Sequence, residues 1–212
     1  LFRRNVDNPA QLRVLTAALR SLPSRPLVAV DQEGGRVARL REPFTRLPPA
    51  ARIGATGDPD LAYRVGRLLA RELRSVGIDL DFAPVLDVCD NPANEVIGDR
   101  AYGATPERVT AMALAVHRGL RDGGVIACGK HFPGHGNTTE DSHFFLPVVP
   151  RTRADWEATE LPPFRAAIAA GIPMLLTAHV IHAALDPELP ATLSPRIVRG
   201  LLRQELGFGG VI

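Results

Sequence analysis

The sequence has 212 residues, 45% of them hydrophobic and 23% charged, and a formal net charge of +2. That balance suits one globular core and excludes collagen-like, low-complexity and strongly charged disordered chains. The arginines are scattered among Asp and Glu without a basic run or aromatic-basic interleaving, so nucleic acid has no footprint here. No apolar run reaches the ~18 residues of a membrane span.

Residue 1 is Leu, and no signal-peptide pattern is present. The natural N-terminus is therefore expected to be missing. Two cysteines occur, Cys89 and Cys128. They are expected to be buried free thiols, which points to a reducing, cytoplasmic setting.

In chain order, Leu1-Phe2 reads as the tail of a first strand. Asn8-Pro9 then opens a helix, and the apolar run Leu27 to Val30 follows as a strand, with Asp31 beyond it. Asp58-Pro59 opens a second helix whose apolar set is Leu61, Val65, Leu68, Leu69, Leu73 and Val76, ending at Gly77, a residue suited to a left-handed stop. Ile78 to Leu86 is the next strand, with Asp87 after it. Thr105-Pro106 starts a helix carrying Val109, Met112, Ala113, Val116 and Leu120, which ends at Gly123. Val125 to Cys128 is a strand, with Lys130 and His131 beyond it. Thr152 ahead of Asp155 marks a helix start less cleanly. Met174 to Thr177 is a strand followed by His179, Ser194-Pro195 opens the last helix, and Gly210 to Ile212 begins another strand. At these helix starts a side-chain oxygen caps free backbone N–H groups, and Pro at the first helical position forfeits no intrahelical bond.

The strand runs lack polar alternation, so they are expected to be buried on both faces, as in a parallel sheet. Strands alternating with helices give an α/β protein. Polar groups able to do chemistry follow nearly every strand: Asp31, Asp87, Lys130 with His131, and His179. In a (β/α)₈ barrel those ends converge on one face. A doubly wound sheet would gather its ligand contacts at one switch point and favour a GxGxxG turn after the first strand. The segment Asp31-Gln32-Glu33-Gly34-Gly35-Arg36 lacks that spacing. The expectation is a TIM-type barrel of which the chain carries about six of eight strand-helix units. An open barrel exposes strand edges, so the chain is expected to be cut at both ends.

The segment from Lys130 to His143 holds three of the six histidines. Its Pro and Gly content makes it a long loop over the barrel mouth, where catalytic groups concentrate. His131 and His135 stand four apart, a zinc-like spacing only on a helix, and Pro133-Gly134 between them argues against that; no metal is expected. A structural reading, hydrogen bonding within the loop, is preferred for His135. Asp141 and His143, two apart in an extended loop, can form a dyad in which the carboxylate orients the imidazole as a proton donor near neutral pH.

Lys-His-Phe-Pro-Gly-His-Gly at 130–136 followed by Asp-Ser-His at 141–143 resembles the signature of glycoside hydrolase family 3, in its β-N-acetylhexosaminidase branch. Asp31 to Val37, Asp81 to Val88, Val96 to Gly103 and Leu176 to His179 are similar to further family motifs in the same order, so the resemblance covers essentially the whole chain. It implies a retaining exo-glycosidase acting on terminal β-linked N-acetylglucosamine, from peptidoglycan fragments, with no cofactor. His143 would be the acid/base and Asp141 its partner. Asp31 would accept sugar hydroxyls, while Arg39, Arg100, Lys130 and His131 complete the subsite and His179 lines the floor. Arg100 would fork onto hydroxyl oxygens.

Structural alternatives stand beside these roles. Asp31 would be a cap or turn residue, Arg100 would pair with Asp99 or Asp87 on the rim, Arg39 would be solvated, and His179 would serve packing. Asp87 is read as structural, closing the barrel mouth. The resemblance also implies an Asp nucleophile, expected just beyond Ile212. A β-glucosidase or β-xylosidase of the same family, or a catalytically dead sugar binder, are the competing functions.

Overall fold

The computed structural model describes residues 1–138 and 146–212. A short 3-10 turn at Arg3–Asn5 precedes α1 (Pro9–Arg20) and β1 (Ala29–Val30), and an antiparallel hairpin β2 (Gln32–Gly34) and β3 (Val37–Ala38) follows. Next come α2 (Ala50–Thr56), α3 (Pro59–Ser75), β4 (Leu80–Asp81), α4 (Pro106–Asp122) and β5 (Ile126–Phe132). The remainder is β6 (Val148–Val149), α5 (Arg153–Thr159), α6 (Leu161–Ala169), β7 (Met174–Thr177), β8 (Ile181–His182) and a π-type helix, Arg196–Glu205.

All five capping devices form. Asn8 accepts from the Gln11 amide, Asp58 from Asp60 and Leu61, Thr105 from Arg108, Thr152 from Asp155, and the Ser194 hydroxyl from Ile197. Gly77 takes the left-handed conformation after α3 (φ 78°), and after α4 Gly124, not Gly123, does so (φ 79°).

The main sheet is parallel, in the order β1-β4-β5-β7, and Val211 bridges to Met174 beyond β7. On the other side, the Leu1 nitrogen donates to the Ala29 carbonyl at 2.5 Å. Strand order thus equals chain order, which is the arc of a TIM-type barrel; a doubly wound sheet would reverse at a switch point. Among the described residues no pairing closes the arc. No described helix is long and apolar enough to cross a membrane.

Two strand expectations are corrected. The run Ile78 to Leu86 is not one strand: Pro84, which has no N–H for the ladder, interrupts it, and pairing resumes at Val85, which bridges to Lys130. Conversely, β5 runs through Lys130 and His131 to Phe132, because Lys130 and Phe132 still pair with β7, with His131 at a register shift between them. The first residues of the expected loop are therefore strand.

The core fills with Leu12, Leu73, Ile78, Leu86, Met112, Leu120, Phe132 and Phe164, all essentially without exposure. Helices α3 and α4 touch at Gly66 and Gly119; a Cβ on Gly119 would lie 2.8 Å from the Gly66 Cα. Cys128 is buried, as expected, but Cys89 is only partly so; both are free.

Candidate active site

The C-terminal ends of β1, β5 and β7, with the hairpin β2–β3, enclose a pocket of about 330 Å³. Asp31, Arg39, Arg100, Lys130, His131 and His179 all line it. These are the six residues the sequence marks as substrate-binding, drawn from five separated stretches of chain. Asp141 and His143, the expected dyad, lie outside the described residues.

One wall is a charge network. Lys130, with 3% of its side chain exposed, donates to Asp31 Oδ1 at 2.9 Å and stands 2.6 Å from Glu33 Oε1. Strand geometry explains the pair, since residues two apart project from one face. Arg100 closes both arms of its fork on Glu33, Nε to Oε2 and Nη2 to Oε1, each at 2.9 Å. Its ion-pair partner is therefore neither Asp99 nor Asp87. Burial alone would raise the Glu33 carboxyl, but Lys130 and the Arg100 hydrogen bond outweigh it and bring the pKa down to about 2. Arg39 lies 3.6 Å from Asp31 Oδ2, and its amide donates to Gln32 Oε1. Asp31 thus faces two cations and, among the described residues, caps no helix. Below this wall Asp81 is wholly buried: Oδ1 accepts the Gln32 amide at 2.9 Å, Oδ2 has no partner among the described residues, and burial pushes its pKa well up.

The opposite wall is built from histidines around Asp87. The Asp87 carboxylate receives the His131 Nδ1–H at 2.6 Å on one oxygen, and the amides of His135 (2.8 Å) and His131 (3.3 Å) on the other. Burial would raise Asp87, yet the His131 ring and the His135 amide hold it below the usual range. Burial lowers the His131 pKa, against the pull of Asp87, and Lys130 and Arg100 lower it further. A neutral ring protonated on Nδ1 follows, with Nε2 3.4 Å from Arg100 Nη2. Asp87 therefore does more than close the mouth; it orients one pocket histidine and fixes the backbone of the next. His135 bonds Thr138 Oγ1 at 2.8 Å, in keeping with its structural reading.

The turn at 133–136 is held from beneath. Trp156 donates its indole N–H to the Pro133 carbonyl and His182 donates to the Gly134 carbonyl, each at 2.7 Å. Burial brings the His182 pKa down to about 4, so this ring is neutral. Gly134 is closely covered, since a Cβ there would lie 3.0 Å from three Glu160 side-chain carbons and would force them to shift. Glu160 is itself buried and, among the described residues, has no hydrogen-bond partner; Arg151 lies 3.8 Å away, and burial raises the Glu160 pKa to about 8. Arg151 pairs with Asp90, whose other oxygen accepts from Asn137 at 3.0 Å. Asn94 reaches the His135 carbonyl at 2.8 Å. Arg36 holds the segment before Arg100 through Asp99 and the carbonyls of Glu95, Val96 and Ile97.

Glu33, Arg36, Asn94, Glu160 and His182 build this site without a role foreseeable from motif spacing. One signal for Glu33 was available: Lys130 is the chain's only lysine, and a lone lysine at a strand end asks for carboxylates nearby.

The description of the glycosyl hydrolase family 3 N-terminal domain matches residues 1–212. The chain belongs to this family. Within it, a β-hexosaminidase of Alkalilimnicola ehrlichii is 48% identical over 219 residues, covering all of this chain and 62% of the relative. The chain thus spans about three fifths of the length of the curated relatives it matches. Among solved structures, a family 3 β-N-acetylglucosaminidase from Paenibacillus sp. superposes with a TM-score of 0.97 at 47% identity, over all of this chain and 41% of that one. NagZ from Neisseria gonorrhoeae, solved in complex with N-trifluoroacetyl-D-glucosamine, gives 0.94 at 42% identity over 100% and 64% of the two chains.

Proposed function

We propose that this chain forms the sugar-binding part of a retaining exo-β-N-acetylglucosaminidase. The observation that carries the reading is the single pocket lined by Asp31, Arg39, Arg100, Lys130, His131 and His179. The Asp31 carboxylate accepts and the Arg39, Arg100 and Lys130 cations donate around it, which suits a ligand rich in hydroxyls that both donate and accept. Membership of family 3, and the N-acetylglucosamine analogue bound by the gonococcal relative, support the choice of sugar.

In the proposed reaction an aspartate following the strand begun at Val211 attacks the anomeric carbon. The aglycone leaves with a proton from His143, which Asp141 orients. Water then displaces the aspartate from the glycosyl ester and gives its proton to His143. Asp31 and Lys130 hold sugar hydroxyls throughout. No cofactor enters this scheme. Muropeptide fragments are the proposed natural substrate and the cytoplasm the proposed site of action.

The test is turnover of 4-nitrophenyl N-acetyl-β-glucosaminide beside the corresponding glucoside and xyloside, by the protein extended through its natural downstream sequence. Preference for the N-acetyl substrate is expected, and preference for either of the others overturns the sugar assignment. In that protein, His143→Ala should slow glycosides with poor leaving groups far more than nitrophenyl glycosides. Equal losses would contradict its role as proton donor.

A further inference from the structure

Thr192 lies outside every family motif quoted above, yet it ties together three groups at the edge of the pocket. Its hydroxyl is 3.0 Å from the Ala178 carbonyl oxygen, 2.9 Å from Thr177 Oγ1 and 2.7 Å from His179 Nδ1. A threonine hydroxyl has one hydrogen and two lone pairs, so the three bonds can be assigned. The Ala178 carbonyl can only accept. Ala178 is buried, and among the described residues no other donor reaches that oxygen. A buried carbonyl left without a donor is costly, so the Thr192 hydrogen goes to Ala178. Both lone pairs then receive: one from the Thr177 hydroxyl, the other from His179 Nδ1–H. Neutral His179 is thereby fixed as the tautomer protonated on Nδ1, and its Nε2 is a bare acceptor.

We infer that Thr192 is a positioning residue that sets His179 as a hydrogen-bond acceptor, through Nε2, for a hydroxyl or amide hydrogen of the bound sugar. His179 lines the same pocket as Lys130 and Arg100, which offer donors. The acceptor matters for that reason: among the described lining residues Asp31 already answers Lys130 and Arg39, and His131 Nε2 already faces Arg100 at 3.4 Å. A sugar hydroxyl that accepts from one side can then donate to the other. The inference rests on the pocket taking a sugar.

The experiment uses the full-length protein labelled with ¹⁵N, with the His179 ring signals assigned by their loss in His179→Gln. In the free protein Nδ1 should be the protonated nitrogen and Nε2 the unprotonated one. Saturating N-acetylglucosamine should move the Nε2 signal in the direction of hydrogen-bond acceptance. A shift produced by glucose as well identifies a ring hydroxyl as the donor, and a shift confined to N-acetylglucosamine identifies the amide. Thr192→Val should raise KM by about 3- to 10-fold with kcat little changed, and should mix the two tautomers; Thr192→Ser should restore both. A protonated Nε2 in the free protein, or an Nε2 signal unmoved by saturating sugar, overturns the inference, and neither reading needs the Thr192 variants to fold. A protein inert toward every glycoside that still shows the sugar-induced shift would overturn the hydrolase proposal and sustain this one.

Discussion

Glu33 and Glu160 are both glutamates almost wholly withdrawn from solvent, with 4% and 0% of their side chains exposed. Burial acts on both in the same direction, yet one carboxyl falls to about 2 and the other rises to about 8. The difference lies in the distance to positive charge. Glu33 has Lys130 at 2.6 Å and a two-armed Arg100 at 2.9 Å; Glu160 has Arg151 at 3.8 Å, already engaged by Asp90. An ångström of separation and a competing carboxylate decide whether a buried acid is an anion or a neutral filler. The wall of the pocket needs the anion, because two cations must stay fixed there. Under the 133–136 turn a neutral acid beside Gly134 suffices.

The largest test of this contrast is Glu33→Gln. It leaves Lys130 and Arg100 buried with one carboxylate fewer, so a loss of about 3–5 kcal/mol is expected by urea denaturation at pH 7. The pH dependence has a definite sign. A carboxyl lowered from 4.5 to about 2 in the folded protein contributes stability above pH 4.5 that disappears as pH falls toward 2. Variant and wild type should converge over that interval, and a constant gap would break the account.

Glu160→Gln should have the opposite sign. A carboxyl raised from 4.5 to about 8 on folding makes the wild type lose stability as pH climbs through that interval, since the unfolded chain ionises first. The glutamine variant escapes this loss. It should match the wild type below pH 4.5 and exceed it by roughly 1–4 kcal/mol at pH 8. Thermal melts at three pH values decide it; a variant less stable at pH 8 would mean that Arg151 and Glu160 form a working ion pair.

Asp87→Asn is the smallest of the three. Two amide donors keep their acceptor, while His131 Nδ1–H loses the carboxylate it faces. The expected cost is about 1–3 kcal/mol, with a rise in KM as the His131 ring turns. A variant unchanged in both would mean that Asp87 closes the barrel mouth and nothing more.

Much of this architecture was legible in the residues. Asn8, Asp58, Thr105, Thr152 and Ser194 each cap where a local rule puts them, because capping is decided within four residues. The order of strands and helices was legible from local pattern too, and so was the set of polar residues that the strands bring to the pocket. Partnerships across the fold were not. Arg100 meets Glu33 across 67 positions and His131 meets Asp87 across 44, and spacing along the chain carries no trace of either. The guanidinium expected to fork onto sugar hydroxyls forks onto a glutamate, and the aspartate read as a plug orients a histidine. The extent of β5 was missed because its last residues owe their pairing to β7, an element more than forty residues further on.

Lys130 carries the single ε-amine in these 212 residues, and it is buried against two carboxylates. Reagents that seek amines, whether acylating probes, cross-linkers or modifying enzymes, therefore find no lysine on the surface of this part of the protein. Any acylation at position 130 would report that the barrel had opened far enough to release the ammonium from Asp31 and Glu33 and let it lose its proton. The residue that anchors the pocket is also a built-in sensor of the pocket's unfolding.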